Sequence, residues 1–303
     1  MKSLRSLVLA FGALVGATTA PVNAAPAVAG QDIVQTALST PGFTTLTTLL
    51  TQADLVTTLQ GPGPFTVFAP TDAAFAALDP NLAAFLTNPA NVDSLRNVLL
   101  YHVAPGSFAS TQVLTSPFLS MANDQRALIS AVGGVPTIDN APIAVTDIIC
   151  SNGIIHVLDR VMQPNLDRIP ATAASTGRFD TLLAAVGAAD LATLLDGPGP
   201  FTVLAPTDVA FAVLPPGFVD SLLLPQNKPL LQSILAYHVI PSRAYADQAL
   251  ALGEVATVNG NTVFFGVING VPRVNGARII RRDIDTANGV VHAIDRVLLP
   301  PLN

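Results

Sequence analysis

The chain has 303 residues, of which 50% are hydrophobic and 11% charged, with a formal net charge of −6. Disordered segments are poor in apolar residues and rich in charge, so this composition excludes disorder and supplies side chains for buried cores. After Lys2 the only lysine is Lys228, which excludes the basic surface a nucleic-acid partner needs.

Residues 1–24 read as a secretory signal peptide. Lys2 and Arg5 are followed by an apolar run, Leu7–Val15, and by a small-residue cleavage site at Val22-Asn-Ala24. That run is too short to cross a bilayer, and nothing later approaches the roughly 20 apolar residues of a transmembrane helix. The C-terminal Leu298–Asn303 carries no hydrophobic tail of the kind that directs a lipid anchor. Residues 25–30 form an Ala/Pro linker.

The rest divides into two units by repetition. Gly61–Leu78 recurs as Gly197–Leu214, 136 positions on, with 15 of 18 residues identical. A period this long marks a duplicated domain, since solenoid repeats run at roughly 20–50 residues. The expected domains are 31–164 and 177–303, joined by a short linker, 165–176.

In the first unit, Phe43, Leu46, Leu49, Ala53, Val56 and Leu59 recur at helical spacing. The Thr-rich outer face lowers helix propensity and predicts a break near Gln52. Gly-Pro-Gly-Pro stops the helix, and Phe65–Ala69 alternates as a strand that Pro70 ends. Thr71 or Asp72 is placed to cap a short helix, as are Thr207 or Asp208 in the copy.

Leu95, Val98, Leu99 and His102 share one helix face, and so do Leu231, Ile234, Leu235 and His238. A histidine on an apolar face is buried and neutral and needs a hydrogen-bond partner. Asp72 and Asp208 are the partners expected for His102 and His238. Further on, Ala127–Val132, Thr257-Val258 and Thr262–Gly266 read as strands, with hairpin turns at Asp139-Asn140 and Asn275-Gly276. Each unit closes on Asn-Gly and a strand apolar at nearly every position, which predicts burial of both faces. His156 and His292 lie in these strands and read as structural.

No HExxH, CxxC, GxSxG or phosphate-cradling glycine loop is present, so neither catalysis nor a bound metal or cofactor is expected. Asp283-Ile-Asp285 before Asn288-Gly289 fails the spacing of a calcium loop and reads as a turn. Cys150 has no partner for an internal disulfide. Its counterpart is Thr286, so it reads as a small core residue, with an intermolecular disulfide as the alternative.

Three motif sets, Thr-Val-Phe-Ala-Pro-Thr-Asp-x-Ala-Phe, Tyr-His-Val, and Asn-Gly-x-x-His-x-x-Asp-x-Val-x-x-Pro, occur in order in both units. Together they resemble the fasciclin-domain family over about residues 31–301. The resemblance implies an α+β fold of tandem domains, each a twisted β-sandwich or wedge with several helices packed against it. It also implies adhesion to an extracellular protein or polysaccharide surface. By the same resemblance the Tyr-His pairs, Tyr101-His102 and Tyr237-His238, would form an adhesion motif, although their helical spacing turns the histidines inward. The alternative it implies is a secreted carrier of an apolar small molecule, a carotenoid or a lipid. The exposed stretches that differ between the copies, 79–91 against 215–229 and 107–126 against 243–255, are where binding specificity is expected.

Overall fold

The computed structural model describes residues Gly30–Pro301. The expected signal peptide, residues 1–24, lies outside them.

The first domain opens on α1 (Ile33–Ser39). Asp32 caps it by accepting from the Gln35 N–H at 2.8 Å, and the Gln35 side chain accepts from the Asp32 N–H in return. The predicted long helix is two helices, α2 (Thr44–Gln52) and α3 (Val56–Leu59). The Thr47, Thr48 and Thr51 hydroxyls donate to carbonyls of the preceding turn, and Asp54 takes a positive φ at the break. Then come β1 (Phe65–Pro70) and α4 (Asp72–Ala76). Thr71 rather than Asp72 is the cap, accepting from the Ala74 N–H at 3.2 Å. α5 (Pro80–Thr87), α6 (Val92–Leu100), β2 (Val103–Pro105) and α7 (Ser110–Thr115) lead to β3 (Phe118–Ser120), β4 (Arg126–Val132), β5 (Val135–Ile138), β6 (Ala141–Cys150) and β7 (Gly153–Leu158).

The second domain repeats the order. It runs α8 (Ile169–Ser175), α9 (Asp180–Ala188), α10 (Ala192–Leu195), β8 (Phe201–Pro206), α11 (Asp208–Ala212), α12 (Phe218–Leu222), α13 (Lys228–Tyr237), β9 (Val239–Ile240), α14 (Ala246–Leu252), β10 (Glu254–Ala256), β11 (Thr262–Ile268), β12 (Val271–Val274), β13 (Ala277–Thr286) and β14 (Gly289–Ile294). The expected linker 165–176 contains α8, the counterpart of α1. Its Ala- and Thr-rich helix is too short to show a clear apolar period. Thr257-Val258, expected in a strand, lies in the turn between β10 and β11.

Each domain has one seven-stranded sheet, ordered β2-β1-β7-β6-β5-β4-β3 and, in the copy, β9-β8-β14-β13-β12-β11-β10. β1 and β7 pair in parallel and the other neighbours are antiparallel. The α+β class and the two-residue turns are as the sequence predicts, with positive φ at Asp139 and Asn140 and at Asn275 and Gly276. β7 and β14 are buried along nearly their whole length because both sheet faces are covered. On one face Ile155 and Val67 meet Leu46, Leu50, Leu95 and Leu99 of the helices. On the other, Phe68 and Leu158 meet Tyr101, Met121 and Ile138.

Two glycines are fixed by close approach. A Cβ on Gly63, which has φ +57°, would lie 2.2 Å from the Asn152 carbonyl oxygen, and one on Gly153 would lie 1.9 Å from that of Phe65.

Candidate functional site

The residues the two domains share are the natural place to look for a site. His102 lies just past the end of α6 and is buried. Its Nε2 accepts from the Met162 N–H at 2.9 Å, so the ring proton is on Nδ1, which donates to the Val98 carbonyl at 2.8 Å. His238 makes the same bonds to Leu298 and Ile234. Burial holds both rings neutral, with pKa lowered to about 4.

The expected partners are a correction. Asp72 does not reach His102. Its carboxylate accepts from the N–H groups of Thr45 and Thr44 at 2.7 and 3.3 Å, at the start of α2. These bonds, Thr45 first, hold it below the usual carboxylate range. Asp208 does the same for Thr181 and Asp180; burial opposes the shift, but the bonds from Thr181 prevail. Each aspartate ties the strand–helix turn to an earlier helix, where it faces the positive end of that helix. Tyr101 and Tyr237 are also buried, and their hydroxyls donate to the Arg126 and Thr262 carbonyls at 3.1 and 3.0 Å. The Tyr-His pairs therefore present no surface to a receptor.

His156 carries the opposite tautomer. Nδ1 accepts from the Asp147 N–H at 3.2 Å, leaving Nε2 to donate to the Phe108 carbonyl at 2.9 Å. His292 repeats this with Asp283 and Ala244. Asp147 and Asp283 take positive φ where β6 and β13 shift register against their neighbours. The Asp147 carboxylate then binds the Ser110 N–H and hydroxyl at 2.8 and 2.5 Å, holding the start of α7. Asp283-Ile-Asp285 is thus part of strand β13 and not the turn expected, with Asp283 in a bulge and Ile284 and Asp285 paired to Val291 and Val290. Among the described residues, no group of three or more His, Cys, Asp or Glu could hold a metal ion.

Asn152 does more than form a turn. Its Nδ2 donates to the Leu59 and Gly61 carbonyls at 2.8 and 3.0 Å, and its Oδ1 accepts from the Ile33 N–H at 2.9 Å. One buried amide therefore joins the last β-hairpin to α1 and to the end of α3. Asn288 repeats all three bonds. Cys150 is buried, its thiol 3.3 Å from the Thr36 hydroxyl, and burial raises its pKa. An intermolecular disulfide would require that part of the core to open.

Residues that differ between the copies form the seam between the domains. The Arg126 guanidinium lies between the Phe118 and Tyr245 rings, 3.9 Å from each centroid, and binds both Asp247 oxygens at 2.9 and 3.0 Å. The Tyr245 hydroxyl donates to Asp285 at 2.6 Å and lies 3.2 Å from the Asp124 carbonyl. Asn165 donates to the Asp285 carbonyl at 2.7 Å. The counterparts of Arg126, Tyr245, Asp247 and Asp285 are Thr262, Ala109, Thr111 and Ile149. Sequence reasoning missed this seam, although loss of repetition at charged and aromatic positions was its signal. Part of stretches 107–126 and 243–255, expected to bind a partner, is thus spent on domain docking. Arg126→Ala is expected to loosen the domains, raising the radius of gyration in solution scattering and costing about 1–2 kcal/mol, mostly through the lost ring contacts. An unchanged radius would show that the seam does not depend on this residue.

The Fasciclin domain family matches residues 41–164 and 177–300. Protein sll1483 of Synechocystis sp. is 44% identical over 176 residues, covering 58% of this chain and 94% of that protein. Transforming growth factor-beta-induced protein ig-h3 of Sus scrofa is 31% identical over 248 residues, 80% of this chain and 35% of its own length. Periostin of Homo sapiens is 30% identical over 278 residues, 91% of this chain and 33% of its own. The chain thus spans about a third of the latter two proteins. Among solved structures, a FAS1 domain pair from the insect cell adhesion molecule fasciclin I covers 83% of this chain and 92% of that one, at 16% identity and a TM-score of 0.43. With both repeats matched and nearly all of the Synechocystis protein covered at 44% identity, the chain belongs to the fasciclin domain family and carries that domain in tandem.

Proposed function

We propose that the chain is a secreted, non-catalytic interaction protein that binds an extracellular protein or polysaccharide surface. Secretion rests on the signal-like residues 1–24, and among the described residues no helix is long and apolar enough to cross a membrane. One observation carries the interaction reading. Leu223, Leu224 and Leu230 are exposed around the end of α12 and the start of α13, where the first domain has Thr87, Asn88 and Ser94. Exposed apolar side chains gathered in one region mark contact surfaces. The histidines, asparagines and aspartates common to both domains are occupied inside the fold and are left out of this role. Stretches 79–91 and 215–229 are short helices with 3-10 turns, so such a surface is rigid rather than a loose loop.

The test is adhesion of the secreted chain to cells, matrix proteins and wall polysaccharides in a solid-phase assay. Leu223→Thr, Leu224→Asn and Leu230→Ser together restore the first domain's residues and are expected to reduce binding at least tenfold. Full binding by that variant would rule out this surface. No binding by the unaltered chain to any of these surfaces would sink the reading. A second reading, a carrier of an apolar small molecule, is favoured by a cavity inside the second domain.

A further inference from the structure

The two domains share a core plan but not its filling. In the second domain a cavity of about 290 Å³ lies among α8, α9, α10, α13, β8 and β14. The matching place in the first domain holds about 10 Å³. Every residue around that small void has its counterpart, 136 positions on, around the large one.

The substitutions between the copies run in two directions. Inside, Leu50, Leu100 and Ile155 are replaced by the smaller Val186, Ala236 and Val291. Toward the rim, Thr58 and Ala122 are replaced by Leu194 and Val258, which are 48% and 42% exposed. Arg96, which donates to the Ala53 carbonyl at 3.2 and 3.0 Å, is replaced by Gln232. Gln232 keeps the bond to the equivalent Ala189 carbonyl, at 2.8 Å, without bringing a charge. An empty apolar cavity destabilises in proportion to its volume. Apolar residues placed at its rim gain nothing from facing water. A ligand accounts for both changes.

The lining also fixes the chemistry. Both His238 nitrogens are already bonded and one Gln232 N–H is spent on Ala189, so the rest of the Gln232 amide is the only polar side-chain group left in an otherwise apolar lining. The volume is about twice the roughly 150 Å³ that accommodates benzene, which leaves room for about ten to twelve carbon atoms. No cation lines the cavity and the chain is acidic, so nothing draws this site to an anionic bilayer. We infer that the second domain binds the hydrocarbon chain of a free single-chain amphiphile, with its head group outside the rim at Leu194 and Val258. This rests on the carrier reading and gives it a site and a ligand class.

The test titrates the full secreted chain with 1-decanol by calorimetry at several temperatures. Saturable binding of one molecule per chain is expected, with a negative heat-capacity change. The V186L/V291I chain, which carries the first domain's residues, is expected to bind at least tenfold more weakly while melting no lower. Should that variant fail to fold, Leu194→Thr at the exposed rim decides, with binding expected to weaken several-fold. Absence of saturable binding by the unaltered chain overturns the inference, and so does equal binding by the folded variants. Two outcomes separate this inference from the carrier reading. Tight decanol binding that neither substitution affects keeps a carrier but removes this site. A different apolar molecule in an organic extract of the secreted chain, with no decanol binding, keeps a carrier but removes this ligand class.

Discussion

Replacing Asn152 by alanine is expected to cost the first domain about 3–5 kcal/mol, a large part of the roughly 5–15 kcal/mol that holds a domain folded. Alanine strands two carbonyls, of Leu59 and Gly61, and one N–H, of Ile33. Backbone groups in a buried site carry their full desolvation penalty when they lose a partner. The bonds span 93 and 119 positions of sequence, so no neighbouring residue can replace them. Asn152→Asp is expected to do little better. It keeps an acceptor for Ile33 but sets a carboxylate against two carbonyl oxygens. Urea denaturation read separately for each domain checks this, with the second domain and Asn288 as the internal control. A loss below about 1 kcal/mol for both variants would show that water replaces the amide.

Acidification is expected to weaken both domains well above the range in which ordinary carboxylates titrate. His102 and His238 have folded pKa values of about 4, against about 6.5 for an ordinary histidine. Above pH 6.5 both folded and unfolded chains are neutral at these rings, and the full stability is present. Between 6.5 and 4 the unfolded chain takes up the proton and the folded one does not, so stability falls with pH. Below 4 both forms are charged and the loss is complete, at about 3 kcal/mol per domain. His156 and His292 are lowered by burial too and act with the same sign. Asp139 and Asp285, whose carboxyls burial pushes up, act in the opposite direction as pH falls. Comparing each unfolding midpoint with that of His102→Ala isolates the histidine. The variant is expected to be less stable at pH 7, through the orphaned Met162 N–H, and to lose about one proton from the pH slope of its own domain. An identical slope would show that His102 does not titrate as described.

Much of the fold was legible because its signals are local. Alternation marked Phe65–Ala69, spacing of three and four marked Leu95 to His102, and paired Asp, Asn and Gly marked the two-residue turns. What escaped the sequence depended on contacts between distant segments. The Asp72 carboxylate turns to the start of α2 and not to His102, and nothing nearby in the chain indicates which way it points. Asp283-Ile-Asp285 resembles a turn in composition, but pairing with β14 keeps it in a strand, and the Asp283 N–H in its bulge donates to the His292 ring. The seam around Arg126 was hidden for another reason. Repetition marks what the domains have in common, whereas docking one copy on the other requires residues that the copies do not share.

The parallel pairing of β1 with β7, and of β8 with β14, has a consequence for how the protein is made. The strand that completes the middle of each sheet is the last of its domain to leave the ribosome. Until it arrives, the first strand lacks its inner neighbour and helix α1 lacks the Asn152 amide that holds it. Contacts this remote in sequence also make folding slow. Each domain therefore stays open at the middle of its sheet until its final strand has been made.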